Sequence, residues 1–308
     1  MAEVITGPWP APTSAKIRRA RGDRLSETGL LPASLRWRLR SRIRRSDIPQ
    51  LKEWTNHING FVLSNRRTAE KRKIATIAIE EADRYFRQQF SLRRRRPQHD
   101  LLTALITAED RGSVLSEDEL VATSILILVA GNETVTHFFG NGMLALLRNE
   151  SEFNRLRSSP GSIDQAVDEL LRYDPPQPID SRIATEEIIL HGRKIQAGDR
   201  VTFSLSSANR DAEQFSKPNE LDLARQNNPH LAFGYGAHFC LAAPMARLQA
   251  RIGLSTLVRR LEGVELRGDP IEWKDDSFGV RGVRELGLNF RPNYSRAFHD
   301  WSTNSQPR

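Results

Sequence analysis

The sequence has only one cysteine, Cys240, in its 308 residues. A single cysteine cannot form an intramolecular disulfide framework, and it is too few for a zinc or iron–sulfur site, because those sites take several protein ligands. The N-terminus also lacks the basic and then apolar pattern of a secretory leader. Both absences indicate a cytoplasmic protein.

Long apolar runs are absent as well. The longest, residues 125–130, is far shorter than the roughly 20 residues that cross a bilayer, so we expect no membrane partner. No G-x-G-x-x-G occurs between a strand and a helix, which argues against a flavin or nicotinamide site in this chain. With 38% hydrophobic residues, the composition is typical of a soluble globular protein.

Positive charge is concentrated at the front of the chain. Residues 1–100 contain 23 Lys and Arg against 10 Asp and Glu, whereas residues 101–308 contain 23 against 28. Such asymmetry is typical of an arm that binds nucleic acid or a membrane surface, or simply of a solvated basic segment. Three early prolines and two arginine clusters predict a poorly structured segment over residues 1–47. No base-reading motif accompanies the arginines, so a nucleic-acid-binding function rests on charge alone.

Helical periodicity begins at about residue 48. Leu51, Trp54 and Ile58 recur at helical spacing, and residues 74–86 repeat the pattern. This predicts two amphipathic helices. Four consecutive arginines, residues 93–96, are then expected to form a basic loop that faces solvent.

A long helix is predicted in the middle of the chain. Ser116 and Glu119 form a capping box ahead of residues 120–147, whose first half is apolar nearly all round and is expected in the core. Residues 181–204 have the pattern of a β-hairpin and a following strand, and further short strands are expected after residue 263. The predicted fold class is therefore mainly α with small β-sheets.

A polar group interrupts this helix at residues 130–134, which read A-G-N-E-T. Buried polar side chains cost free energy unless they have partners. Either the glycine lets another helix pack closely and Thr134 bonds back to the carbonyl of Ala130, or these residues serve a site. Glu169 and Arg172, three residues apart on a later helix, pose the same choice, because an exposed pair of this kind contributes only about 0.2–0.5 kcal/mol.

The cysteine ends a loop with the pattern F-G-x-G-x-H-x-C and opens a predicted helix. Gly234 and Gly236 permit positive φ angles and close approach to a large group, and a helix N-terminus stabilises a thiolate. A buried, inert cysteine is one interpretation. The other is a thiolate that binds a metal as its single protein ligand, which is all that a haem requires.

Together the three motifs resemble the cytochrome P-450 family. They occur in the family's order, and the resemblance covers residues 48–292. It implies the cytochrome P-450 fold, with a long central helix over a haem and the cysteine loop beneath it. Residues 1–47 match no part of that fold, so an N-terminally truncated or divergent member is expected, with a C-terminal tail at 293–308.

The resemblance also implies how the cofactor is held. Cys240 would be the metal ligand of haem b, iron protoporphyrin IX, and Arg182 and His238 would bind its propionates. The other cofactor-binding residues would be Phe233, Gly234, Gly236, Ala130 and Gly131. The substrate pocket would include Leu126, Ala130 and Ile179.

Two further groups take their roles from the resemblance. Thr134, with Glu133 behind it, would relay protons in a locally opened groove of the long helix. Glu169 and Arg172 would lock to Arg225 and fix the cysteine loop.

The activity so implied is that of a haem-thiolate monooxygenase. It would insert one atom of O2 into an apolar or amphiphilic small molecule, with electrons from a separate ferredoxin or flavodoxin and its reductase. Two alternatives stay open: a truncated, catalytically inactive remnant of such an enzyme, and a basic nucleic-acid-binding protein.

Overall fold

The computed structural model describes residues 2–6, 16–18, 43–110, 113–274, 277 and 279–293. Most of these residues lie in helices, and the strands are short and form small sheets. The predicted fold class, mainly α with small β-sheets, is confirmed.

The first layer of helices follows the predicted periodicity. A 3₁₀ turn at Arg45–Asp47 leads into α1 (Ile48–Val62), which packs against α2 (Ala69–Arg95). The short helix α3 (Leu101–Thr107) completes their apolar core, in which Phe86, Phe90 and Leu102 are fully buried.

The arginine run at residues 93–96 is not a loop, because its first three residues form the last turn of α2. Arg93 is buried, with Nε 2.8 Å from Asp100 Oδ2 and Nη1 2.8 Å from Gln89 Oε1. The expectation of a solvent-facing loop was wrong for this residue. A buried carboxylate draws the guanidinium inward, and a buried charge is tolerated only with such a partner.

The central helix is α4 (Glu117–Arg148), which follows a small hairpin of β3 (Glu109–Asp110) and β4 (Ser113–Val114). Ser116 and Glu119 form the predicted capping box at its start, since each accepts the other's amide.

The helix is continuous through residues 130–134, and the local opening of its groove stays a prediction. Thr134 Oγ1 donates to the carbonyl of Ala130 at 3.2 Å. A carbonyl oxygen has two lone pairs, so the hydroxyl shares it with the helical amide and need not displace that amide.

A second core cluster surrounds the C-terminal half of α4. It is formed with α5 (Glu150–Ser158), α6 (Ile163–Tyr173) and, after the single turn α7 (Leu205–Ala208), α8 (Ala243–Arg260). Gly253 of α8 allows close approach to α4, because a Cβ at this position would collide with the ring of Phe139.

By length and composition, α4 could also cross a membrane. The core helix of a globular protein has the same properties, and α4 buries the polar side chains of Glu133, His137 and Asn141 among its neighbours. It packs on α2, α6 and α8. These contacts are those of a core helix.

Two antiparallel strand pairs lie between α6 and α8. They are β5 (Ile179–Ile183) with β8 (Arg200–Ser204), and β6 (Ile188–Leu190) with β7 (Arg193–Ile195). His191 and Gly192 join β6 to β7 with φ angles of +47° and +75°, as a two-residue hairpin turn requires. The predicted hairpin and following strand are confirmed.

The remaining sheet is built on one long strand near the C-terminus. This strand, β11 (Val283–Pro292), pairs with β9 (Leu261–Leu266), β10 (Glu272–Trp273) and β1 (Ala2–Thr6), and β1 pairs with β2 (Lys16–Arg18).

The segment 1–47, predicted to be poorly structured, therefore contains two described strands. They form because β1 supplies hydrogen-bond partners to an edge of β11. Residues 7–15 and 19–42 lie outside the described residues, and so do residues 294–308 of the predicted tail.

Candidate functional site

The loop that carries Cys240, here called the cysteine loop, comprises residues 229–242 and is closed by its own backbone. The carbonyl of Phe233 accepts the amide of Cys240 at 2.9 Å. Gly234 and Gly236 both have φ of +74°, a conformation that residues with a Cβ rarely adopt. Helix α8 begins at Ala243, so the cysteine precedes the helix by three residues rather than opening it.

Exposed apolar side chains surround the cysteine. Leu241 is 91% exposed, Tyr235 85% and Phe239 48%, and a Cβ on Gly236 would meet nothing within 4 Å. The thiol of Cys240 is free and half-buried. Exposed apolar side chains beside a free thiol suit one wall of a binding site.

A second open apolar surface lies on α4. Leu126 is 66% exposed, Ala130 lies one turn further along the same face and is also exposed, and a Cβ on Gly131 would meet nothing within 4 Å. Ile179, the third predicted pocket residue, is half-buried at the start of β5. Leu126 and Ala130 therefore offer an open apolar surface on one face of α4, and Ile179 lies on a separate element.

The two predicted carboxylate-binding residues have different surroundings. Arg182 on β5 donates from Nη1 to Asp180 Oδ2 and to the carbonyl of Ser181, both at 2.8 Å, and keeps further N–H donors for an external anion. His238 is exposed in the 3₁₀ turn Gly236–His238. A soft sulfur ligand, open apolar walls, a guanidinium and an imidazole fit a haem, which is a flat apolar ring with two carboxylates.

Glu169 and Arg172 are completely buried, so they are not an exposed surface pair. Two bonds join them, Arg172 Nε to Glu169 Oε2 at 2.7 Å and Nη2 to Oε1 at 2.8 Å. The other donors of Arg172 bond to the carbonyls of Asn209, Pro218 and Glu220 at 2.8–3.0 Å. All five N–H groups of the guanidinium are thus used.

The carboxylate of Glu169 is equally well satisfied. Arg225 Nε and Asn228 Nδ2 donate to its Oε2, each at 3.1 Å, and the amide of Asp222 donates to its Oε1 at 3.0 Å. The structure therefore brings the three predicted structural residues into one network. This network fixes the irregular segment 209–228, which leads into the cysteine loop.

The side chains of Glu133 and Thr134 have different hydrogen-bond partners and do not bond to each other in the described structure. Glu133 is buried and forms an ion pair with Lys274 in the connection between β10 and β11, and His137 Nε2 lies 3.4 Å from the same carboxylate oxygen. Burial alone raises the pKa of Glu133, but the hydrogen bond of His137 and the charge of Lys274 outweigh it and lower the pKa to about 2.

Sequence reasoning missed both partners of Glu133. His137 lies four residues further along α4, so helical spacing could have suggested it. Lys274 is 141 residues away in sequence, and no local pattern connects it to the helix.

A third group beside the cysteine loop was also missed. The carboxylate of Asp168, next to Glu169 on α6, lies 2.7 Å from Arg247 Nε and 3.2 Å from His230 Nε2. Burial raises the pKa of Asp168, and the hydrogen bonds of His230 and Arg247 more than offset this, so the pKa lies below its usual range. Asp168 is therefore held as a carboxylate at neutral pH.

Comparison with known proteins gives a consistent pattern. The family described as "Cytochrome P450" matches residues 162–283. Cytochrome P450 CYP107DY1 of Priestia megaterium is 35% identical over 244 residues, 79% of this chain and 58% of the relative. The biotin biosynthesis cytochrome P450 of Bacillus subtilis is 36% identical over 248 residues, 79% of this chain and 61% of the relative. The chain thus spans about three fifths of the length of these curated relatives.

Solved structures show the same similarity. P450BioI, in complex with an acyl carrier protein ligated to hexadec-9Z-enoic acid, superposes with a TM-score of 0.80 at 33% identity, over 85% of this chain and 67% of that one.

Proposed function

The chain belongs to the cytochrome P450 family, and from this premise we propose that it is a haem-thiolate monooxygenase. It would insert one atom of O2 into an apolar or amphiphilic small molecule. The observation that carries the proposal is the closed loop around Cys240, which combines a free thiol with two glycines at positive φ and exposed apolar neighbours.

The residues at the site would divide the work of holding the cofactor. Cys240 would bind the haem iron through sulfur, and Arg182 and His238 would bind the carboxylates through charge-assisted hydrogen bonds. When bound, a thiolate-ligated haem supplies the activation of O2. Gly131 and Gly236 would leave room for the ring, because no side chain fills the space beside them.

Other residues would exclude water and move protons. Leu126, Ala130 and Ile179 would form an apolar wall against which a substrate loses its hydration. Thr134 would hold and pass a proton at Oγ1. The Glu133 carboxylate is turned towards Lys274 and His137, so proton exchange with Thr134 requires its side chain to rotate or a water molecule to bridge the two groups.

Substrate and partners are proposed by the same reasoning. The related P450BioI was solved with a fatty acyl chain carried on a protein, and an apolar chain of this class suits the open surface of α4. Electrons would come from a ferredoxin or flavodoxin with its reductase, in the cytoplasm. No flavin or nicotinamide motif in the sequence offers a source within this chain.

The test is a carbon monoxide difference spectrum of the reduced protein, purified after haem is supplied. A red-shifted Soret band in the wild type that is lost in Cys240→Ser supports the sulfur ligand. A folded chain that takes up no haem, or takes it up equally well without the sulfur, would refute the proposal and favour an inactive remnant. Tight, salt-dependent binding of DNA by a haem-free chain would favour the nucleic-acid-binding alternative.

A further inference from the structure

Four side chains meet where α6, the cysteine loop and α8 come together. They are Asp168 on α6, His230 and Phe233 on the loop and Arg247 on α8. Asp168 Oδ1 accepts from both Arg247 Nε and His230 Nε2, at 2.7 and 3.2 Å. One carboxylate oxygen of Asp168 therefore connects the chain before Cys240, at His230, with the helix after it, at Arg247.

The tautomer of His230 follows from its neighbours. Its Nδ1 accepts the amide of Ala232 at 3.2 Å, so the proton of the neutral ring must lie on Nε2, which donates to Asp168. Only 2% of the His230 side chain is exposed. The ring is thus held at both nitrogens, and the start of the loop is held with it.

Arg247 continues the connection towards the cysteine. Its guanidinium carbon lies 4.6 Å from the centre of the Phe233 ring, within the range of a cation–π contact. The carbonyl of Phe233 in turn accepts the amide of Cys240. A restraint on Asp168 therefore reaches the backbone of Cys240 through three contacts, Asp168 to Arg247, Arg247 to Phe233 and Phe233 to Cys240.

The same two helices carry a second ion pair that has no such connection. Arg251 Nη1 lies 3.2 Å from Asp164 Oδ1, one turn before Asp168 on α6 and one turn after Arg247 on α8. Its side chains are 42% and 70% exposed. This pair also joins α6 to α8, but it involves no residue of the cysteine loop.

We propose that Asp168 and Arg247 are positioning residues for the haem-binding cysteine, and that they act by holding His230 and Phe233 in place. The inference rests on the proposed function for its meaning, since the sulfur of Cys240 needs a fixed position only if it binds iron. Its structural part, restraint of the loop by Asp168, can be measured with or without the cofactor.

The experiment compares Asp168→Ala with the matched control Asp164→Ala in the full chain, purified with haem supplied. Hydrogen exchange at the Cys240 amide reports on the loop, and transfer of haem to a strong haem-binding acceptor protein reports on cofactor retention. We expect Asp168→Ala to accelerate both by about fivefold or more, the factor implied by losing one cation–π contact or one hydrogen bond. Asp164→Ala should stay within about twofold of the wild type, as exposed ion pairs usually do.

Three further variants separate positioning from general destabilisation. Arg247→Lys keeps the charge but loses the flat guanidinium over Phe233, so it should lower the share of the reduced carbon monoxide complex that has the red-shifted Soret band. Asp168→Glu should retain more of that share than Asp168→Ala does, because glutamate keeps the carboxylate. Arg251→Lys should leave it unchanged.

The possible failures point to different conclusions. Equal exchange rates at the Cys240 amide in Asp168→Ala and Asp164→Ala would overturn the inference, whatever the haem content. A wild type that binds no haem would refute the proposed function instead, and the exchange rates would still decide whether Asp168 restrains the loop. Should Asp168→Ala fail to fold, Arg247→Lys with normal exchange and a normal spectrum would overturn the inference.

Discussion

Replacing Arg172 by lysine should destabilise the chain far more than the similar charge suggests. Lysine has three N–H donors on one nitrogen, whereas all five donors of Arg172 have partners within 3.0 Å. At least two buried acceptors therefore lose their bonds. Each unsatisfied group costs about 1–3 kcal/mol, so we expect the free energy of unfolding to fall by about 3–5 kcal/mol.

The matched control has the same spacing on a neighbouring helix. Arg155 lies 3.5 Å from Glu152, three residues before it on α5, but its side chain is 49% exposed. Because the Arg155 side chain is half-exposed, water can replace the bonds that lysine does not make, so Arg155→Lys should change the free energy of unfolding by less than about 1 kcal/mol.

Urea denaturation followed by circular dichroism gives both free energies from one assay. The Arg172→Lys variant should also lose haem faster, because the network around Glu169 fixes residues 209–228 ahead of the cysteine loop. Equal losses of stability in Arg172→Lys and Arg155→Lys would refute the argument from buried donors.

Three more predictions concern α4 and the cysteine loop. Thr134→Ala should keep the spectrum of the reduced carbon monoxide complex but divert electrons from product to peroxide, and unchanged coupling of electrons to product would contradict the proton role. Glu133→Gln should be less stable than the wild type above about pH 4.5, and the difference in stability should narrow as the pH falls towards 2. The reason is that a carboxyl group with a lowered pKa stabilises the fold only while it is ionised. A difference in urea midpoints that stays constant from pH 7 to 3 would contradict this. Gly236→Ala should cost about 1–2 kcal/mol of unfolding free energy, since φ is +74° there. The control is Gly131→Ala, at a helical position where a Cβ would also meet nothing within 4 Å, and it should be neutral or stabilise the fold by about 0.5–1 kcal/mol. Similar losses of stability at the two glycines would show that the backbone conformation of Gly236 does not cause the loss.

Local features of the fold could be predicted because their signals are local. The apolar spacing of Leu51, Trp54 and Ile58 identified α1, and the residues Ser116 and Glu119 identified the start of α4. Each signal spans only a few residues, within one element of secondary structure. Such patterns specify the element but not its neighbours.

Burial and long-range pairing could not be predicted in this way. The spacing of Glu169 and Arg172 is equally compatible with an exposed pair, and only the packing of the segment 209–228 over α6 makes them buried. Arg93 was expected in solvent for the same reason, since three arginines follow it directly in the sequence. Lys274, the partner of Glu133, lies 141 residues away.

Helix α6 restrains the cysteine loop from two directions because Asp168 and Glu169 are adjacent. Successive residues of an α-helix point about 100° apart, so the two carboxylates reach different neighbours. Glu169 bonds to the segment that leads into the loop, through Arg225 and Asn228, and Asp168 bonds to His230 on the loop and to Arg247 beyond it. The two networks are also joined directly, because the amide of His230 donates to the carbonyl of Asn228 at 2.8 Å and the amide of Leu231 donates to Asn209 Oδ1 at 2.7 Å. The costs of Asp168→Ala and Arg172→Lys in haem retention should therefore be coupled, and strictly additive costs in the double variant would mean that the two networks hold the loop independently.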